Sequence, residues 1–147
     1  MDTEGLLRSL NAHSVRYVVI GATAFPVHGY ARATLDVDIF IEPTPENAGR
    51  VRDALIAFGY DLSDVSVDDL LRQKVLIRQY VLEVDIHPFV AGASFEDVWR
   101  NRVEEHLGTA PTAFASLGDL IRMKEAAGRV KDLEDLRALR EIQRRRK

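Results

Sequence analysis

The chain contains no cysteine. Disulfides, thiolate metal sites and a cysteine nucleophile are thereby excluded, and a reducing cytosol suits the composition. There is no long apolar run either, and no stretch approaches the roughly 20 residues needed to cross a bilayer. The first residues, Met1-Asp2-Thr3-Glu4, are acidic with no apolar segment behind them, so no signal peptide is expected and the expected location is cytoplasmic. Neither His28 nor His87 has the spacing of a zinc site. Internal repeats and low-complexity linkers are also missing.

What remains is an ordinary globular balance. The 147 residues are 46% apolar and 29% charged, enough for one domain with a real core. The formal net charge of -3 argues against a general nucleic-acid binder, but it is unevenly spread. Residues 121–147 hold ten Lys/Arg against five Asp/Glu, and the first 120 hold ten against eighteen. A basic C-terminal arm on an acidic body suits a negatively charged substrate, RNA included, or is simply a solvated helix with a disordered Gln143–Lys147 tail.

The stretch that organises the chain runs from Gly21 to Phe40. An apolar strand over 16–20 breaks at Gly21-Ala22, a short helix is expected over 22–28, and a second strand follows over 36–42. Side chains alternate in a strand, so Asp36 and Asp38 share one face while Val37, Ile39 and Ile41 share the other. Two carboxylates about 7 Å apart along one strand repel each other. They are costly beside a core unless a cation or water reaches them. A divalent metal is the simplest reason for them.

The rest of the chain reads as alternating helices and strands. Helices are expected over 3–13, 46–58, 67–73, 95–100 and 117–127, closed or capped by Gly59, Ser66, Ser116 and Gly128. A final charged helix over 130–143 should turn Leu133, Leu136 and Leu139 inward. Two strands over 75–78 and 81–86 suggest a hairpin, and a weaker hairpin is read over 103–113. Phe89, Phe95 and Trp99 read as core. The class is α+β, a mixed sheet flanked by helices with C-terminal helices packed on the core. The whole of 1–147 is expected to form one domain, with 116–147 as its helical end.

Glu83, Asp85 and His87 share a face of the last apolar strand. Beside the Asp36/Asp38 strand, a third carboxylate completes a site for one or two hard cations. Magnesium takes oxygen ligands and borrows others from substrate phosphates, and a pair of such ions clamps a phosphoryl transfer. Taken alone, Glu83 and Asp85 read first as the wet face of an edge strand, and the Asp-x-Asp strand beside them reverses that reading. The Gly21 turn supplies the other half, because a glycine break leading into a helix start offers backbone N–H groups to a phosphate.

An apolar strand, Gly-Ala at a helix start, a dozen residues and then Asp-hydrophobic-Asp-hydrophobic resembles the signature of the DNA polymerase β-type nucleotidyltransferase superfamily. Gly21-Ala22-Thr23-Ala24, His28-Gly29 and Arg32-Ala33-Thr34-Leu35-Asp36-Val37-Asp38 are similar to its small stand-alone members, among them nucleotidyltransferase toxins of abortive-infection-type toxin–antitoxin systems. So is the late segment from Leu120 to Leu136. The resemblance implies Asp36, Asp38 and Asp85 as catalytic metal ligands, Mg2+ (or Mn2+) as cofactor and an NTP as donor. On this reading Asp85 helps activate the acceptor hydroxyl.

Gly21, Ala22, Thr23 and Lys124 would hold the triphosphate as an NMP is transferred and pyrophosphate leaves. Arg32 and Thr34 either reach phosphates or anchor their loop, and Lys124 could equally be a surface lysine. His28 is expected to hydrogen-bond within the fold and His87 to partner the metal site. The acceptor is left open among an RNA end, a protein hydroxyl and a small molecule. An antitoxin or a second copy of the chain is a conceivable partner. One departure from the pattern stands out, for Ala22 replaces the serine or glycine that many active members carry. It favours the alternative of a nucleotide- or partner-binding module without turnover. A third reading is an interaction protein that docks a partner through its last helix.

Overall fold

The computed structural model describes residues 1–146. Its first helix, α1 (Thr3–Ala12), starts at Asp2, whose carboxylate accepts from the Gly5 N–H at 2.8 Å, and buries Leu6, Leu7 and Leu10. β1 (Tyr17–Ile20) is buried along its whole length. Two 3-10 turns, Gly21–Ala24 and Pro26–His28, lead on to β2 (Asp36–Ile41). α2 (Pro45–Phe58) begins with proline at its first position behind a Thr44 cap, where a missing N–H costs nothing. α3 (Val67–Arg72) opens on a reciprocal Ser66/Asp69 capping box. β3 (Val75–Ile77), β4 (Glu83–His87), α4 (Phe95–Arg100) and the hairpin of β5 (Val103–Leu107) and β6 (Ala110–Phe114) follow. α5 (Leu117–Ala127), a 3-10 turn over Val130–Asp132 and α6 (Leu133–Arg145) complete the described chain.

The six strands form one mixed sheet in the order β3-β4-β2-β1-β6-β5. β2 runs parallel to β4 and β1 parallel to β6, while the other neighbours are antiparallel. The α+β class expected from the sequence is therefore observed, with helices flanking a mixed sheet. A continuous cluster of buried apolar side chains joins α1, the central strands, α2, α5 and α6. Within it the fully buried Asn47 bonds the Arg16 N–H, the Arg16 carbonyl and the Glu42 carbonyl. One side chain thus ties the entrance of β1 to the exit of β2, which holds the two strands in register.

Four local expectations need correction. The helix expected over 22–28 is the pair of 3-10 turns. Pro26 has no N–H to return to Ala22, so an α-helical ladder cannot pass it, and Gly29 stops the second turn at a φ of 95°. The last helix starts at Leu133 rather than 130, and Leu133 is 46% exposed. The buried stripe begins one turn later at Leu136 and continues through Leu139. Phe89 is 62% exposed, because it lies past Pro88 and outside the alternation of β4. Finally, the 143–146 stretch is not a loose tail. Helix α6 runs to Arg145, and the Arg146 guanidinium donates to the His28 carbonyl at 3.2 Å. Lys147 lies outside the described residues.

Candidate active site

The two carboxylate-bearing strands are neighbours. β2 and β4 pair in parallel with Asp36 opposite Glu83, Asp38 opposite Asp85 and Phe40 opposite His87. Because both strands alternate with the same period, one register decision lines up every acidic side chain on a single face. Asp85 is buried and Asp38 half-buried, while Asp36, at the strand entrance, is exposed. One ligand atom from each of Asp38, Asp85 and His87 lies within 4.8 Å of the others.

His87 has a defined task in this group. Its Nε2 lies 2.8 Å from Asp38 Oδ1, and a carboxylate oxygen only accepts, so the imidazole donates through Nε2–H. That bond fixes the carboxylate rotamer, as the outer partners of metal-binding carboxylates do. Asp36 is held differently. The Thr34 hydroxyl accepts from the Asp36 N–H and contacts the Asp36 carbonyl, both at 3.1 Å, while the Thr23 hydroxyl donates to that carbonyl at 3.3 Å. In this structure Thr34 therefore anchors the strand entrance, one of the two roles open to it.

Gly21 meets the group from the neighbouring strand. β1 pairs with β2 so that Ile20 lies opposite Asp38, which sets Gly21 against the Asp38 side chain. The residue has a φ of 68°, and a Cβ on it would lie 2.6 Å from Asp38 Oδ2. Only glycine meets both conditions.

The remaining expected residues form a second cluster at the C-terminal helices. Lys124 is paired with Asp132 at 2.9 Å and Asp135 at 3.6 Å, and its ammonium lies 5.5 Å from the centre of the Phe25 ring, just after the Gly21 turn. Arg32 is paired with Asp135 at 3.2 Å, and the Tyr30 hydroxyl donates to the same carboxylate at 2.8 Å. Burial would raise the Asp132 carboxyl, but bonds from Lys124 and Arg129 outweigh it and hold it below its usual range. The Tyr30 phenol is pushed up, first by its bond to Asp135 and then by burial. Lys124 and Arg32 are therefore bound to buried aspartates rather than reaching out from the surface.

Sequence reasoning missed Arg78. Its Nη1 donates to Asp85 Oδ1 at 2.6 Å and its Nε pairs with Glu83. The bond to Asp85 raises the guanidinium further above its already high range, although partial burial opposes this. The sequence gives it no partner, and only the β3–β4 pair, with Ile77 opposite Val84, brings the residue after Ile77 beside Glu83. His28, by contrast, is where it was expected, with Nε2 at 2.8 Å from the Ala115 carbonyl.

Asp38 and Asp85, with Asp36 and Glu83 next to them in the register, offer hard oxygen donors of the kind that suit Mg2+ or Mn2+, while the softer His87 imidazole is bonded to Asp38. The model of a family described as "Nucleotidyltransferase of unknown function (DUF6036)" matches residues 3–144. The chain belongs to that family. No curated protein matches it. Membership in a nucleotidyltransferase family agrees with the strand–turn–strand unit that carries Gly21, Asp36 and Asp38. Among the described residues no helix is long and apolar enough to cross a membrane.

Proposed function

We propose that this family member transfers a nucleoside monophosphate from an NTP to a hydroxyl acceptor. The observation that carries the reading is the register of Asp38 against Asp85 beside the Gly21 turn. Asp38 and Asp85, with Asp36 at the strand entrance, would hold Mg2+ or Mn2+. When bound, such ions neutralise triphosphate charge and polarise the reacting phosphoryl group. His87 keeps Asp38 oriented. Asp85 takes the proton of the acceptor hydroxyl as its oxygen attacks the α-phosphorus and the bond to the β-phosphate oxygen breaks. The Gly21–Thr23 turn would offer its backbone N–H groups to the triphosphate. Lys124 and Arg32 hold the adjoining turn and loop through Asp132 and Asp135.

The charge of α6 bears on the acceptor. RNA is a natural candidate for a basic helix, but the arginines of α6 are partly spoken for. Arg140 pairs with Glu125, and Arg144 and Arg145 pair with Glu141. A protein or small-molecule hydroxyl is therefore kept alongside an RNA end, and a toxin role with an antitoxin or homodimer partner remains part of the proposal. A second reading, nucleotide binding without turnover, is favoured by Ala22 and by the cation already on Asp85.

The test is titration of the four NTPs with Mg2+ on the native chain and on Asp38→Ala and Asp85→Ala, followed by pyrophosphate release with RNA and with cell extract. Metal-dependent binding lost in both variants, with release in the native protein, supports transfer. Binding without release supports the second reading. Failure to bind any nucleotide removes both.

A further inference from the structure

Among the described residues, Arg78 is the one permanent cation within bonding distance of the carboxylates of β2 and β4. It follows the last residue of β3 and opens the Gln79–Leu82 connection to β4. Its side chain is 40% exposed, whereas that of Asp85 is 11% exposed. One end of the pair is thus fixed in the sheet and the other stands on a connection at the surface. Glu83, the second partner, is open to water and does not need the guanidinium to be satisfied.

Asp85 therefore already carries a cation. A carboxylate that shares its charge with a guanidinium is a poorer ligand for a second positive ion, and the two cations repel at short range in a half-buried site. A free divalent ion meets that opposition in full. A metal–triphosphate does not, because the phosphates bring anionic oxygens of their own. A guanidinium fork binds these in bidentate fashion, which its planar donors suit. The exposed end and the long flexible stem allow Arg78 to exchange one anion for the other.

We infer that Arg78 is a specificity-determining residue that guards Asp85 against free divalent ions and yields it when a nucleoside triphosphate arrives to take the guanidinium. The inference rests on the nucleotidyl-transfer reading above. It makes metal binding and nucleotide binding mutually dependent, so that the acidic face does not fill with bare cations.

The experiment measures Mn2+ binding through the resonance signal of the free ion. It uses the full chain as native protein, Arg78→Gln, Arg78→Lys and Asp38→Ala, with and without a non-hydrolysable α,β-methylene NTP analogue. In Arg78→Gln, free Mn2+ should bind about tenfold or more tightly than in the native protein, and the enhancement by the analogue should shrink by a similar factor. Arg78→Lys keeps the charge but not the fork. It should bind free Mn2+ almost as the native protein does and lose part of the analogue's effect, which decides the matter even if the glutamine variant fails to fold. Equal Mn2+ affinity in native protein and both Arg78 variants, with binding lost in Asp38→Ala, overturns the role of Arg78 and leaves the transfer reading standing. No Mn2+ binding in any form, with or without the analogue, overturns both.

Discussion

A Cβ on Gly21 would lie 2.6 Å from Oδ2 of Asp38. The turn and the acidic strand are thus fitted to each other at one point, where the backbone also needs a φ of 68°. Gly21→Ala should lower stability by about 1–2 kcal/mol from the left-handed backbone alone. It should also push the Asp38 carboxylate aside. The expected outcome is a lower melting temperature together with weakened Mn2+ binding. A variant that melts lower but binds the ion as before would show that the close approach does not position Asp38.

His87 orients Asp38 through one hydrogen bond at 2.8 Å. His87→Ala should reduce metal affinity by about tenfold or more, the scale seen when outer partners of metal ligands are removed. His87→Gln, which can still donate, should recover part of it. Circular dichroism should show both variants folded, since the ring is half-buried at the end of β4. Identical losses in the two variants would point to packing rather than the hydrogen bond.

Asp135 gathers Tyr30, Arg32 and Lys124 around one buried carboxylate. Removing it takes the acceptor from Tyr30 and frees the loop that leads into Asp36, while Lys124 keeps Asp132 at 2.9 Å and the half-exposed Arg32 turns to water. Asp135→Ala should cost about 2 kcal/mol in urea unfolding, the scale of lost hydrogen bonds to a charged group. Tyr30→Phe, which removes a single bond, should cost about 1 kcal/mol. If the two costs are equal, the ion pairs to Lys124 and Arg32 contribute little.

His28 makes a pH prediction. Burial lowers its pKa below the ordinary 6.5; the bond to Ala115 opposes the shift and the nearby Arg146 charge adds to it. The unfolded chain therefore binds the proton more readily than the folded one. The contribution of a neutral His28 is complete above about pH 6.5 and is lost as pH falls towards the lowered folded value. Urea midpoints should drop between pH 7.5 and 5.5 in the native protein and drop less in His28→Gln. Parallel pH profiles would remove His28 from the account.

Much of the site was legible because strands impose a period of two. Asp36 with Asp38, and Glu83 with Asp85 and His87, fall on common faces whatever the rest of the chain does. Helix ends were legible for a similar reason, since Ser66 and Ser116 cap through bonds only three residues long. The short helix after Gly21 was misread although its cause, Pro26, is equally local. A missing N–H breaks the ladder even where the neighbouring backbone angles are helical.

Local chemistry decided less elsewhere. Lys124 could be read as a surface cation or a phosphate ligand, and only the packing of α5 against α6 put Asp132 and Asp135 on it. Arg78 stood in the sequence without a partner until β3 folded back along β4. The sequence by itself determined the faces, caps and acidic rows, because each depends on neighbours a few residues away. The tertiary structure decided that the rows face each other, that Gly21 meets Asp38 and that Asp85 carries a guanidinium. Those contacts join separate strands and turns, and their register is set by what the whole core buries.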